Sequence, residues 1–163
     1  MTRKNIFFYF AYGSNLKLSE IRRSCPTAER KCLAMLPAHA LVFPRKSTGR
    51  NCGVASVAAR VGSEVWGGVY EISELEREKL ESREGFKPNR PLSANAYVPS
   101  VLTVLVDGDP NTPLEVVTFI ANPEQNPPLP SLVYKNLIIA GAHEWNVGAK
   151  YIAALDQIQT SNP

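Results

Sequence analysis

Hydrophobic and polar positions along the chain mark out short extended stretches, tight turns and a few helical runs. Ile6, Phe8, Phe10 and Tyr12 fall on one side of an extended chain, with Phe7, Tyr9 and Ala11 on the other. Apolar residues on both sides predict a strand buried on both faces, near the middle of a sheet. The aromatic run from Phe7 to Phe10 favours the pleated state over the rival helix. Gly13-Ser14-Asn15 then turns the chain abruptly, with Gly13 free to take positive φ and two short polar side chains able to bond nearby backbone. Leu16 to Arg23 reads as helix, with Leu18 and Ile21 on one face and Ser19 as its cap.

Further along, Ala38 to Phe43 is expected to form a strand near a sheet edge, set off by Pro37. Gly53 to Val61, rich in small and β-branched residues, suits a tightly packed central strand. Gly62-Ser63 is a turn signal, and Glu64 to Ile72 returns as the partner in a hairpin. The Gly67-Gly68 pair inside that strand calls for a bulge or the close approach of another group. Ser73 and Glu76 make a capping box for a helix that ends at Glu84-Gly85, with Phe86 folding back on Leu80. Two prolines make Lys87 to Leu92 a loop.

Ala96 to Val106 and Leu114 to Ala121 form a second hairpin around Asp107-Gly108-Asp109-Pro110-Asn111, with Pro99 demanding a bulge or an edge position. After a proline-rich loop, Leu132 to about Glu144 is helical, and Gly148 separates a last helix holding Tyr151, Ile152, Leu155 and Ile158. Five or six strands with interspersed helices describe a mixed α/β (α+β) domain.

Composition narrows the class. At 163 residues, with 44% apolar and 20% charged residues, one globular domain spanning 1–163 is expected. No apolar segment approaches the length of a membrane span. The basic start, Met1 to Asn5, precedes a short aromatic stretch that reads as the first strand rather than a secretory signal. A net charge of +3 is too small to argue for nucleic acid, and the densest basic patch, Arg45, Lys46 and Arg50, reads as a solvated loop. Cys25, Cys32 and Cys52 show no metal-ligand or disulfide spacing, so reduced thiols in a cytoplasmic protein are expected. His39 reads as an ordinary strand residue.

Two stretches carry candidate chemistry. Successive N–H groups at Gly13 to Asn15 could form a concave nest for a carboxylate. Glu84 sits in the last turn of its helix, against the negative end of the dipole and three residues from Glu81. Burial in an apolar cleft would raise its pKa further and suit it to proton exchange near neutral pH. The bland alternative is a surface carboxylate relieved by Arg83 or Lys87.

Taken in order, Tyr12-Gly13-Ser14-Asn15-Leu16, the stretch Val65 to Ile72, Glu84-Gly85-Phe86, and Pro130 to Ile158 with Tyr134, Gly141-Ala142 and Tyr151-Ile152 resemble the γ-glutamylcyclotransferase-like (AIG2-like) family. The resemblance spans nearly the whole chain. It implies a small barrel-like sheet with a cavity at its open end and no metal or organic cofactor. Its reaction would cyclise the γ-glutamyl group of a γ-glutamyl amide (an amino acid, an amine or glutathione) to 5-oxoproline, releasing the amine. By the same resemblance Glu84 is the general acid/base, and Gly13, Ser14, Asn15 and Leu16 hold the glutamyl head group. Tyr97 and Tyr134 line the pocket, and Tyr12 is a candidate wall. Two departures bear on substrate identity: a longer connection from Lys87 to Asn95, and Phe119 where some members place a tyrosine. The rival from another class is a non-catalytic module of the same fold that holds a carboxylate-bearing small molecule.

Overall fold

The fold of residues 5–161 is described by a computed structural model; the basic run at positions 1–4 lies outside the described residues. Its strands are β1 (Ile6–Ala11), β2 (Glu29–Ser47), β3 (Cys52–Ser73), β4 (Tyr97–Val106) and β5 (Pro113–Ala121). They form a closed barrel in the order β1-β3-β2-β4-β5. β1 runs antiparallel to β3 along its full length and meets β5 in parallel at Tyr9 and Val117, which closes the ring. The doubly apolar first strand therefore has a neighbour on each side. Phe10 and Tyr70, which lie on adjoining strands, are fully buried, and a large side chain so placed stabilises the fold by roughly 1.5–3 kcal/mol relative to exposure.

The hairpin expected around Gly62-Ser63 does not exist. Both halves of that stretch pair antiparallel with the same strand, Ala59 opposite His39 and Glu64 opposite Pro37, so the chain never reverses. What the turn residues mark is a bulge at 60–63, with Gly62 at φ +85° and Val61 97% exposed. Opposite it Ala38 takes φ +56°, and the register slips between Pro37 and His39. Proline thus bends β2 instead of ending it. The true reversal is the loop 48–51, joining two strands of 19 and 22 residues. β2 pairs with β4 at Ala34 and Met35, so the stretch from Ala38 to Phe43 does have strand pairing on one side alone. Pro99 pairs in register with Phe119 and needs no bulge, because no second strand is bonded to β4 there.

Helices α1 (Leu18–Ile21), α2 (Arg77–Arg83), α3 (Leu132–Glu144) and α4 (Ala149–Asp156) surround the barrel. The helix expected over Leu16 to Arg23 is split into a 3₁₀ turn, Ser14–Leu16, and the single turn α1. Ser19 is not its cap: the Leu18 N–H donates to Glu144 Oε2 at 3.0 Å, a carboxylate from the far end of the chain. At α2, Ser73 Oγ accepts from the Leu75 N–H at 3.3 Å, but Glu76 does not complete the box. Its carboxylate instead accepts from the Thr27 N–H and hydroxyl at 3.1 and 2.8 Å.

The glycine pair in β3 answers to close approach. A Cβ on Gly68 would lie 2.3 Å from the Trp145 indole, and one on Gly67 would lie 2.1 Å from the Ala11 carbonyl oxygen. Gly141 on α3 does the same service elsewhere: its bare Cα lets the helix rest on the backbone of Leu16 and Lys17, where a Cβ would come within 2.7–2.8 Å. Among the described residues no helix is long and apolar enough to cross a membrane.

Candidate active site

At one end of the barrel a cavity of about 330 Å³ opens between the 3₁₀ turn at Ser14–Leu16, the end of α2, and the β2–β3 hairpin. It adjoins an inner chamber of about 40 Å³ walled by Tyr9, Tyr12, Gly13, Ala55 and Phe119. Ser14, Asn15, Glu84, Tyr97 and Tyr134 border both spaces. The outer space alone is the size of a small-molecule site.

Glu84 is delivered there by the way α2 stops. The Gly85 N–H bonds the Ser82 carbonyl at 3.1 Å and the Phe86 N–H bonds Glu81 at 2.9 Å, a Schellman termination with Gly85 at φ +71°. The longer connection that follows braces this turn. Arg90 donates to the Gly85 carbonyl at 2.7 Å, while buried Asn95 accepts from Arg90 Nε at 2.6 Å and from the Lys87 N–H at 2.9 Å.

The carboxylate meets the first motif directly: Asn15 Nδ2 donates to Glu84 Oε1 at 3.0 Å and lies 3.1 Å from the Tyr9 hydroxyl oxygen. Burial pushes the Glu84 carboxyl up to about 7, against the pull of Arg83, the Asn15 hydrogen bond and Arg50. Of the causes read in the sequence, burial in a cleft leads, and Glu81 is not among the groups that shift this carboxyl. Nor does Arg83 neutralise Glu84 as a surface pair, since its guanidinium is engaged with Glu20 at 3.3 Å.

Four tyrosines stand around this group, and burial raises each phenol's pKa, so all are protonated hydrogen-bond donors at neutral pH. Tyr12 donates to the Phe119 carbonyl and Tyr97 to the Ala55 carbonyl at 2.6 Å. Tyr9 and Tyr134 differ, because their oxygens accept, from Asn15 Nδ2 at 3.1 Å and from the Ala55 N–H at 2.9 Å, which leaves each its own proton to give. Ser131 caps α3 by accepting from the Tyr134 N–H at 3.1 Å and so fixes this residue in the first helical turn.

The structure therefore brings Tyr12, Gly13, Ser14, Asn15, Glu84, Tyr97 and Tyr134 to one place. Leu16 is the exception. It is fully buried beneath the turn, its N–H is spent on the Gly13 carbonyl at 3.1 Å, and its carbonyl accepts from the Tyr70 hydroxyl at 2.9 Å and Trp145 Nε1 at 2.7 Å. It supports the turn from behind and borders neither space. Gly13 does not use positive φ either; its φ is −106°. Small size is what the position needs, with Ala55 Cβ and the Tyr134 hydroxyl 3.3 and 3.4 Å from where a Cβ would be.

Sequence reasoning missed several bordering residues. Tyr9 reads in the sequence only as strand interior, although its alternation with Phe10 allows one of the pair to face the barrel lumen. Arg45, Lys46 and Arg50, read as a solvated loop, instead rim the outer space. Arg50 donates to Ser14 Oγ at 3.3 Å and to Glu20 at 3.1 Å, with its guanidinium 5.2 Å from the Tyr134 ring.

A model of the AIG2-like family matches residues 64–155. Human γ-glutamylcyclotransferase is 31% identical over 162 residues, covering 96% of this chain and 80% of that protein. The bovine γ-glutamylcyclotransferase is likewise 31% identical, with the same coverage of both chains. Among solved structures, a γ-glutamyl cyclotransferase superposes with a TM-score of 0.86 at 26% identity, covering 98% of this chain and 91% of the other.

Proposed function

The chain belongs to the AIG2-like, γ-glutamylcyclotransferase family and is an enzyme of that type; on that premise we propose that it cyclises the γ-glutamyl group of a γ-glutamyl amide to 5-oxoproline, with Glu84 carrying the proton. The observation that carries this reading is the Glu84 carboxyl, held against Asn15 at the junction of the two spaces with a pKa raised to about 7. The substrate's α-amine is mostly protonated at neutral pH. Ionised Glu84 takes that proton, the amine nitrogen attacks the γ-carbonyl carbon, and a carbon–nitrogen bond forms as the original amide bond breaks. Glu84 then returns the proton to the departing nitrogen. The nucleophile arrives with the substrate, so no nucleophilic serine or cysteine is required.

Three groups support the roles around it. The N–H groups at the leading edge of the Ser14–Leu16 turn have no partners inside the turn, and they suit the substrate's α-carboxylate. Tyr134, with its proton to donate, suits the oxygen that gains charge when the γ-carbon becomes tetrahedral. Tyr12 and Tyr97, already committed to backbone carbonyls, act as walls that favour the folded conformer, and orientation of this kind lowers a ring-closure barrier by several kcal/mol.

Incubation with γ-glutamyl amides should release 5-oxoproline and free amine in equal amounts. Glu84→Gln keeps the shape and the Asn15 hydrogen bond, and should lower kcat/KM by roughly 10²–10⁴-fold. An undiminished rate in that variant would remove Glu84 from its role. A non-catalytic carboxylate-binding module is disfavoured by the same residue, since an anion gains nothing from a second carboxylate beside it.

A further inference from the structure

The outer cavity carries more positive charge than the ring closure needs. Arg45, Lys46, Arg50 and Arg83 all border it. Two of them are spoken for: Arg50 and Arg83 converge on the same Glu20 oxygen at 3.1 and 3.3 Å. The other two have no carboxylate within ion-pair distance among the described residues. Arg45 donates to the Asn122 carbonyl at 2.8 Å, a neutral partner that fixes its direction without cancelling its charge. At Lys46 the main-chain N–H bonds Glu124 at 2.7 Å, but the ammonium is outside ion-pair range of that carboxylate. Among the described residues the single acid bordering this space is Glu84, at its junction with the inner chamber.

A substrate whose γ-carbonyl sits beside Glu84 must extend its leaving half into the outer space, since the inner chamber of about 40 Å³ has room for little beyond the reacting centre. Resting on the cyclotransferase reading above, we propose that Arg45 and Lys46 form a leaving-group subsite that selects γ-glutamyl amides whose departing amine is itself acidic, a dianionic amino acid ahead of a neutral one, and both ahead of a carboxylate-free amine. Two uncompensated cations match two leaving-half carboxylates. A leaving half without charge would have to displace their water for nothing in return.

The test compares kcat/KM for γ-glutamylglutamate, γ-glutamylalanine and γ-glutamylpropylamine by 5-oxoproline release. The dianionic substrate should exceed the propylamide by roughly tenfold or more at low salt, with alanine between. The margin should shrink as KCl is added. Lys46→Met, at an exposed position whose ammonium has no carboxylate partner among the described residues, should cut the glutamate-to-propylamide ratio severalfold, mainly through KM for the acidic substrate. Arg45→Gln, which retains a donor for Asn122, should do the same. Equal or reversed preference in the unmodified enzyme, or a ratio untouched by both variants, overturns the subsite while leaving the cyclotransferase standing. No 5-oxoproline from any of the three overturns both.

Discussion

A carboxyl group buried with a raised pKa works against the fold that holds it. Glu84 ionises at about 7 in the native state and at 4.5 when unperturbed. Between those values the native state binds more protons than the unfolded chain, so stability is full below pH 4.5 and falls as pH rises to about 7. Above that it is flat, lower by roughly 3 kcal/mol. Glu84→Gln removes the charge and keeps the acceptor for Asn15. Urea denaturation should show the variant more stable than the parent by roughly 1–3 kcal/mol at pH 8 and no different at pH 4. Activity runs the other way: kcat/KM for the parent should climb through a midpoint near pH 7 as Glu84 loses its proton, and residual activity in the Gln variant should lack that limb. The position of this residue was legible in the sequence, because a glutamate followed by glycine at a helix end is conspicuous. Its electrostatic environment was not. The cleft that buries it is walled by Tyr9, Tyr12 and Tyr134, distant in the chain, whereas the neighbour that looked relevant, Glu81, is not among the groups that shift it.

Among the secondary elements, the end of α2 and the turn after β1 place the chemistry. Gly85→Ala would need φ +71° from a residue with a Cβ, and that Cβ would lie 2.8 Å from the Cβ of Ala96. The variant should lose about 1–2 kcal/mol for the left-handed backbone alone, read as a lower urea midpoint. Its kcat should fall as well, since Glu84 is the residue that must swing to relieve the clash. Elements with one strong local signal were legible: β1 from its aromatics, α3 within Leu132–Glu144, and the β4–β5 pair around its Asp-Gly turn. Where the signal was ambiguous, long-range pairing decided. Gly62-Ser63 looks the same in a hairpin and in a bulge, and only the continuous antiparallel partner on β2 distinguishes them. Ser19 likewise had the chemistry of a cap, but the Leu18 amide found Glu144, a partner that no local window contains.

On the scale of the molecule, ring closure through β1 and β5 joins the N-terminal strand to elements more than a hundred positions away. Opening β1 means breaking pairs on both of its sides, so the amides of residues 7–10 should exchange with deuterium only at the rate of global unfolding, while those of the 60–63 bulge should exchange orders of magnitude faster. A pattern in which β1 exchanged as quickly as the bulge would contradict the closed ring. The same closure explains why the role of the basic rim escaped sequence analysis: Arg45 and Lys46 end β2 while Arg83 ends α2, and only the barrel's end assembles them with Glu84. The buttress behind the Ser14–Leu16 turn has one more effect. Because the Leu16 carbonyl is grasped by both Tyr70 and Trp145, with Gly141 seated against its backbone, the amides in front of it keep their aim when no guest is present. The receptor is thus moulded in advance, and crystals grown with and without 5-oxoproline should overlay at this turn to within about 1 Å.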